Sequence, residues 1–329
     1  MLNIGILGCG RIGQVHALTI SRLAAVRVIA VADAVPSAAQ ALATRTGAQV
    51  MDAQALIDSP LVDAVIIAAP TDSHYDLIHA AARAGKAIFC EKPVDLSADR
   101  IRDCIKVVDL AGVPFMTAFN RRFDPNFAAV QARLRAGEIG HVELVAITSR
   151  DPAPPPVSYI ERSGGIFRDM MIHDFDMARF LLGEDPVQVF AVGSALIDPA
   201  VAAAGDVDTA AVTLTTASGA ICQITNSRRA TYGYDQRIEV HGSTGMLQAG
   251  NVRENTVEVA NATGFRTAPT QHFFLERYQA AYAAEVALFA QCVAAGAPMT
   301  PGIHDGLAAQ ILADAAAQSF ATGQPIAIR

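Results

Sequence analysis

Three clusters in the sequence hold residues able to do chemistry. The first is Gly8-Cys9-Gly10-Arg11-Ile12-Gly13, with Asp33 following 20 residues after Gly13. Glycines at this spacing suit a backbone that turns tightly at Gly8, admits an anion to its N–H groups at Gly10 and packs closely at Gly13. A helix beginning there adds amides that favour the same anion. Small Cys9 fits a crowded turn of this kind and needs no reactive role. The second cluster is Glu91-Lys92-Pro93. A lysine can stabilise a developing oxyanion, although taken alone it reads as readily as a solvated surface charge. The third runs from Gly164 to Asp174, where Asp169 and His173 stand four apart and would share one face of a helix. That pair suits a surface ion pair, half of a metal site or an acid/base couple. No third ligand has matching spacing, so no metal is expected.

The elements that must position these clusters follow from periodicity. Over the first 120 residues, short branched apolar runs alternate with amphipathic stretches, the pattern of a parallel sheet with crossover helices. Strands are expected at 3–7, 26–32, 64–68, 87–90 and 114–118, and helices at 12–23, 37–46, 73–84 and 98–111. Gly47, Gly85 and Gly112 stand where C-terminal caps belong. The glycine cluster thereby falls between a strand and a helix, the context that gives such a motif its meaning. Lys92 falls at the carboxyl end of a parallel strand, where doubly wound folds bind ligands.

After a helix at 125–136 the texture changes to alternating segments at 142–149, 187–196, 209–216, 220–227, 237–241 and 257–260, which read as an antiparallel sheet. Helices at 274–294 and 303–321 close the chain, the last with Thr300 as its N-cap and Gly323 beyond its end. The expected architecture is a doubly wound α/β Rossmann domain over 1–120 and an α+β domain with a large, mostly antiparallel sheet over 121–329. The C-terminal helix is free to pack back on the first domain.

Bulk properties narrow the chemistry. At 329 residues the chain has room for two cores, and 52% hydrophobic against 17% charged residues is an ordinary globular balance. A net charge of −7 leaves no basic field for nucleic acid or anionic lipid. No apolar run approaches the roughly 18 residues of a membrane helix, and the opening residues read as a strand rather than a signal peptide. Five scattered cysteines without a C-x-x-C pair fit a reducing cytoplasm. Asp33 can accept hydrogen bonds from ribose hydroxyls and would repel a 2′-phosphate, while Ala34 and Val35 offer no cation, so NAD is expected over NADP.

Taken together, the glycine motif, Ala69-Pro70-Thr71-Asp72-Ser73-His74, Glu91-Lys92-Pro93 and the Asp169/His173 pair resemble the Gfo/Idh/MocA oxidoreductase family across essentially the whole chain. Asn120-Arg121-Arg122-Phe123-Asp124, Gly165 to Met170 and Tyr232-Gly233-Tyr234-Asp235 resemble the branch of that family acting on inositols. The resemblance implies NAD-dependent oxidation of a ring hydroxyl, with His173 as general base, Lys92 stabilising the alkoxide and Asp169 holding substrate or orienting the base. It implies NAD contacts at Gly8, Gly10, Arg11, Ile12, Gly13, Asp33, Ala69, Thr71, His74, Glu91 and Lys92, and substrate contacts at Asn120, Arg122, Phe167 and Tyr234. A homotetramer is the assembly it implies. Aldose oxidation by the same residues and a non-catalytic NAD-binding regulator are the competing expectations.

Overall fold

The apolar runs of the first 120 residues become the strands of one parallel sheet. In the computed structural model, which describes residues 1–328, the chain divides into two units. One comprises Met1–Phe123 with Gln279–Gln310, the other Asp124–Tyr278 with the chain from Ile311 onward.

In the first unit, β1 (Leu2–Leu7), β2 (Val26–Ala32), β3 (Gln49–Val50), β4 (Ala64–Ile67), β5 (Ala87–Cys90) and β6 (Phe115–Thr117) pair in the order β3-β2-β1-β4-β5-β6. Every pairing is parallel. The helices are α1 (Arg11–Ile20), α2 (Pro36–Thr46), α3 (Ala53–Asp58), α4 (His74–Arg83) and α5 (Ala98–Ala111). All four residues of β4 and of β5 are buried, as strands covered on both faces must be. One face packs Ile4, Ile6, Ile66 and Phe89 with Ala17 and Ile20 of α1 and with Val286 and Phe289 from much later in the chain. The opposite face packs Val65, Ile67 and Ile88 with Ile78, Ala82, Ile101 and Cys104. The strand order reverses between β1 and β4, which brings the loops after these two strands together at the switch point.

The second unit opens with α6 (Pro125–Arg135), β7 (Val142–Arg150), α7 (Val157–Ser163), α8 (Gly165–Asp169), α9 (Ile172–Leu182), β8 (Pro186–Ser194) and α10 (Pro199–Ala203). It continues with β9 (Thr209–Thr216), β10 (Ile221–Ser227), β11 (Asp235–Gly242), β12 (Gly245–Ala249), β13 (Glu258–Asn261), β14 (Gly264–Thr267) and α11 (Phe274–Arg277). Helices α12 (Gln279–Ala295) and α13 (Ile303–Thr322) precede the final β15 (Ile326–Ala327). The seven-stranded sheet runs β12-β11-β7-β10-β9-β8-β15, and β7 with β10 is its one parallel pair. Alternation of buried and exposed residues along β9 and β10 leaves one face covered and the other open. No helix among the described residues is long and apolar enough to cross a membrane.

Several expectations are corrected. Asp169 and His173 do not share one helix: Met170 and Met171 both donate backbone hydrogen bonds to Ile166 O, the second an i→i+5 bond that widens the last turn and ends α8 before α9 begins. The expected 274–294 helix is likewise two helices, interrupted at Tyr278. Thr300 does not cap α13, because Gly302 immediately precedes that helix and donates its N–H to Asp305 Oδ2 at 2.9 Å. Gly85, by contrast, ends α4 as expected: it follows the C-cap Ala84 with φ of +70°, and Lys86 N–H donates to Ala81 O while Gly85 N–H donates to Ala82 O. The 257–260 segment pairs only with β14 as a separate hairpin, outside the large sheet. Short β3, α3 and β12 carry too few residues for a period to emerge from the sequence.

Candidate active site

Each glycine of the first motif meets a different constraint. Gly8 has φ of +101°, and a Cβ there would stand 2.5 Å from the Ala68 carbonyl and the Ala69 nitrogen, so the β1 and β4 loops touch backbone to backbone. A Cβ on Gly13 would collide with the Gly8 carbonyl oxygen. Gly10, the N-cap of α1, has nothing within 4 Å of its Cβ position and no side-chain cap over the helix amides. An open glycine before uncapped amides is a cradle for a diphosphate. Arg11 and Ile12 follow on the first turn of α1. Asp33 lies just past β2 and takes one amide on each oxygen, Cys9 N at 2.6 Å and Val35 N at 2.7 Å. A carboxylate has further lone pairs, so ribose hydroxyls can still be accepted. These residues fit a dinucleotide. The Cys9 thiol is pushed up to about 11, by burial first and by Asp33 second, which makes it an inert filler of the turn.

The loop after β4 carries Ala69 and Thr71 into α4, whose first residue is His74. His74 is 1% exposed, with Nδ1 2.9 Å from Pro93 O and Nε2 2.9 Å from Ala69 O. Burial lowers the pKa of this imidazole, and the hydrogen bonds to Ala69 and Pro93 oppose the shift. Each ring nitrogen faces a backbone carbonyl, and the single N–H of a neutral imidazole serves one of the two, so His74 is wedged between the two loops. Glu91 extends β5 and its Oε1 lies 2.7 Å from Nε2 of the fully buried His16 on α1. Lys92 follows, half-buried, before a cis bond to Pro93. Asn120 is buried in the turn Asn120–Phe123, and Arg122 in the same turn pairs with Asp305 at 2.9 Å.

In the second unit Asp169 closes α8 and receives a hydrogen bond from Tyr159 OH on α7 at 2.8 Å. Its other oxygen lies 3.5 Å from Nη1 of Arg228, a guanidinium only 1% exposed that also stands 3.8 Å from Asp206. Asp206 in turn accepts the Ile166 N–H at 3.0 Å, so one buried cation ties the carboxylate at the end of α8 to the carboxylate that holds its start. His173 is the second residue of α9, half-buried. Asp174 beside it points the other way in role: it accepts from Ser149 on β7 at 2.6 Å and from Asn226 on β10 at 2.9 Å, and it anchors α9 to the sheet. Tyr234 is buried edge-on to Phe273 and Tyr278, and Phe167 packs its ring 6.0 Å from Phe320. Both rings are packed against aromatic neighbours of the same unit.

Sequence reasoning missed His16, Tyr159, Asp206 and Arg228. His16 left a trace as a polar residue on the apolar stripe of Gly13, Ala17 and Ile20. Arg228 continues the buried alternation of Asn226 at the end of β10, but nothing local distinguishes a buried arginine from a solvated one.

The comparisons with known proteins agree with this geometry. Residues 2–119 match the family described as "Oxidoreductase family, NAD-binding Rossmann fold", and residues 127–248 match the "GFO/IDH/MocA C-terminal domain". The chain is 55% identical over 327 residues to an inositol 2-dehydrogenase of Rhizobium meliloti, covering 99% of each. It superposes with TM-score 0.95 and 43% identity on a myo-inositol dehydrogenase from Corynebacterium glutamicum, covering 100% of this chain and 99% of that one. A scyllo-inositol dehydrogenase from Lactobacillus casei with bound NAD(H) and scyllo-inositol matches with TM-score 0.93 and 29% identity over 99% of both chains. A glycine cradle that fits a dinucleotide, followed by a matching second domain along nearly the full length of these relatives, makes the chain a member of the Gfo/Idh/MocA oxidoreductase family.

Proposed function

We propose that this chain oxidises a ring secondary hydroxyl of a cyclic polyol, with inositol as the leading substrate and a keto-inositol as the product. The observation that carries the reading is the 55% identity, across 99% of both chains, to a relative named inositol 2-dehydrogenase. Lys92, Asp169 and His173 all stand in this chain beside it. NAD, when bound, supplies the hydride acceptor. His173 takes the hydroxyl proton as general base, a task suited to an imidazole without a large pKa shift. The Lys92 ammonium favours negative charge on the reacting oxygen. Asp169, fixed by Tyr159 and Arg228, offers a carboxylate of one orientation to a substrate hydroxyl or to the base. Asn120, Arg122, Phe167 and Tyr234 are assigned to substrate recognition.

On this reading residues 1–120 serve the cofactor and 121–329 serve substrate and assembly, in a cytoplasmic enzyme. A homotetramer is supported by the open face of the seven-stranded sheet, where Leu144, Phe190, Val192, Ile221 and Met246 are exposed.

The test is the initial rate of NAD reduction against myo-inositol, scyllo-inositol, other isomers, glucose and xylose, repeated with NADP. A preferred inositol supports the reading. Turnover of aldoses alone would replace the substrate and keep the chemistry, whereas NAD binding without turnover of any polyol would make the chain a regulator.

A further inference from the structure

We propose that two buried histidines, His16 and His74, are positioning residues that hold Lys92 from both sides; the inference rests on the assignment of Lys92 to the reaction made above. The ladder between β4 and β5 ends where Glu91 N–H donates to Ile67 O at 2.9 Å. Lys92 is the next residue, so sheet pairing no longer fixes where its side chain begins. Imidazoles take over that task. On the amino side, His16 Nε2 lies 2.7 Å from Glu91 Oε1. On the carboxyl side, His74 Nδ1 lies 2.9 Å from Pro93 O. The chain is pinned at 91 and 93, with Lys92 the single residue between the pins.

The pins are themselves anchored. His16 is 0% exposed, and its ring stands edge-on to Phe89 at 5.1 Å and to Tyr282 at 5.8 Å. The other nitrogen of His74 lies 2.9 Å from Ala69 O of the neighbouring loop, so the ring is wedged between the end of β4 and Pro93 whichever carbonyl its N–H serves. Burying an imidazole is costly unless it is hydrogen-bonded, and an apolar side chain would serve a core better. Each ring instead places one nitrogen on a residue flanking Lys92. A misplacement of about 1 Å at a reacting group can cost on the order of 10²-fold in rate, and the two rings prevent it.

The experiment is a double-mutant cycle on the full chain. The rate constant kcat, KM for myo-inositol and Kd for NADH are measured for wild type, Lys92→Ala, His74→Ala and the double variant. Acting through Lys92, His74→Ala lowers kcat by about 10- to 100-fold with Kd for NADH within about twofold, and lowers it no further when Lys92 is already alanine. His74→Gln, whose amide can donate to one of the two carbonyls, recovers part of the loss. Should His74→Ala fail to fold, His16→Leu, which removes the contact with Glu91, carries the same cycle. Multiplying losses in the double variant, or a loss of NADH affinity equal to the loss of kcat/KM, would overturn the proposal while Lys92 keeps its role. Full activity of Lys92→Ala alone would instead overturn the assignment of Lys92, and the proposal with it.

Discussion

The two units hold their candidate residues by different means. In the first, the candidates lie just beyond the carboxyl ends of parallel strands or on the first turns of the helices that follow: Gly8 after β1, Asp33 after β2, Ala69 after β4, Glu91 and Lys92 after β5, with Arg11 to Gly13 on α1 and His74 on α4. Strand pairing delivers these loops to one edge of the sheet, and short side-chain bonds finish the job. In the second, Asp169 and His173 sit on two short helices that no shared ladder aligns. There the positions come from buried charges reaching across the fold, Arg228 to Asp169 and Asp206, Asp174 to β7 and β10, Arg277 to Asp124. One set of candidates is placed by backbone topology and the other by side-chain electrostatics, so the second should be the more sensitive to single substitutions.

The largest effect is expected where chemistry itself is removed. His173→Ala should lower kcat by about 10² to 10⁴-fold and leave NADH affinity unchanged, as read by steady-state kinetics and fluorescence titration of NADH. Turnover that survives would remove the base from the second unit and collapse the division of labour.

Next comes Asp124→Ala. Asp124 is fully buried, caps α6 through the amides of Asn126 and Phe127, and pairs with buried Arg277, whose Nη2 lies 3.1 Å away. Leaving that guanidinium without its carboxylate should cost about 3–5 kcal/mol in denaturant unfolding. An undiminished midpoint would contradict the claim that the second unit depends on buried ion pairs.

Smaller, and confined to the first unit, is Asp33→Ala. Loss of a charged acceptor for ribose should weaken NAD by roughly 1.5–3 kcal/mol and narrow its advantage over NADP, with kcat at saturating NAD nearly intact. Measuring kcat/KM for both cofactors checks it, and an unchanged ratio would free Asp33 of its role in selection.

The smallest effect concerns Asp208, which is fully buried on the second unit's sheet. Burial raises the pKa of its carboxyl, but the amides of Leu196, Ile197 and Asp198 and the Thr209 hydroxyl outweigh this, and the net shift is down from 3.8. A depressed carboxylate contributes stability that is complete above the unfolded value and fades as pH falls through the folded one. Asp208→Asn should therefore flatten the stability loss below about pH 4 in acid unfolding, and an acid limb as steep as wild type would assign that loss elsewhere.

What the sequence determined by itself was the alternation of strand, loop and helix in the first sheet, short β3 and α3 apart. Strand and helix periods, glycines at fixed offsets and Asp33 at the end of the second run are local signals, because a parallel strand, its loop and its helix are contiguous in the chain. The family motifs likewise named Lys92, Asp169 and His173 without a fold. Only the tertiary structure decided that Asp169 and His173 stand on separate helices, that His74 is wedged between two backbone carbonyls, and that His16 and Arg228 sit behind the candidate residues. Those facts depend on side chains from distant segments meeting in a desolvated interior. A histidine or arginine in a sequence has the same letters whether water or a buried carboxylate is its partner, and only packing chooses between them.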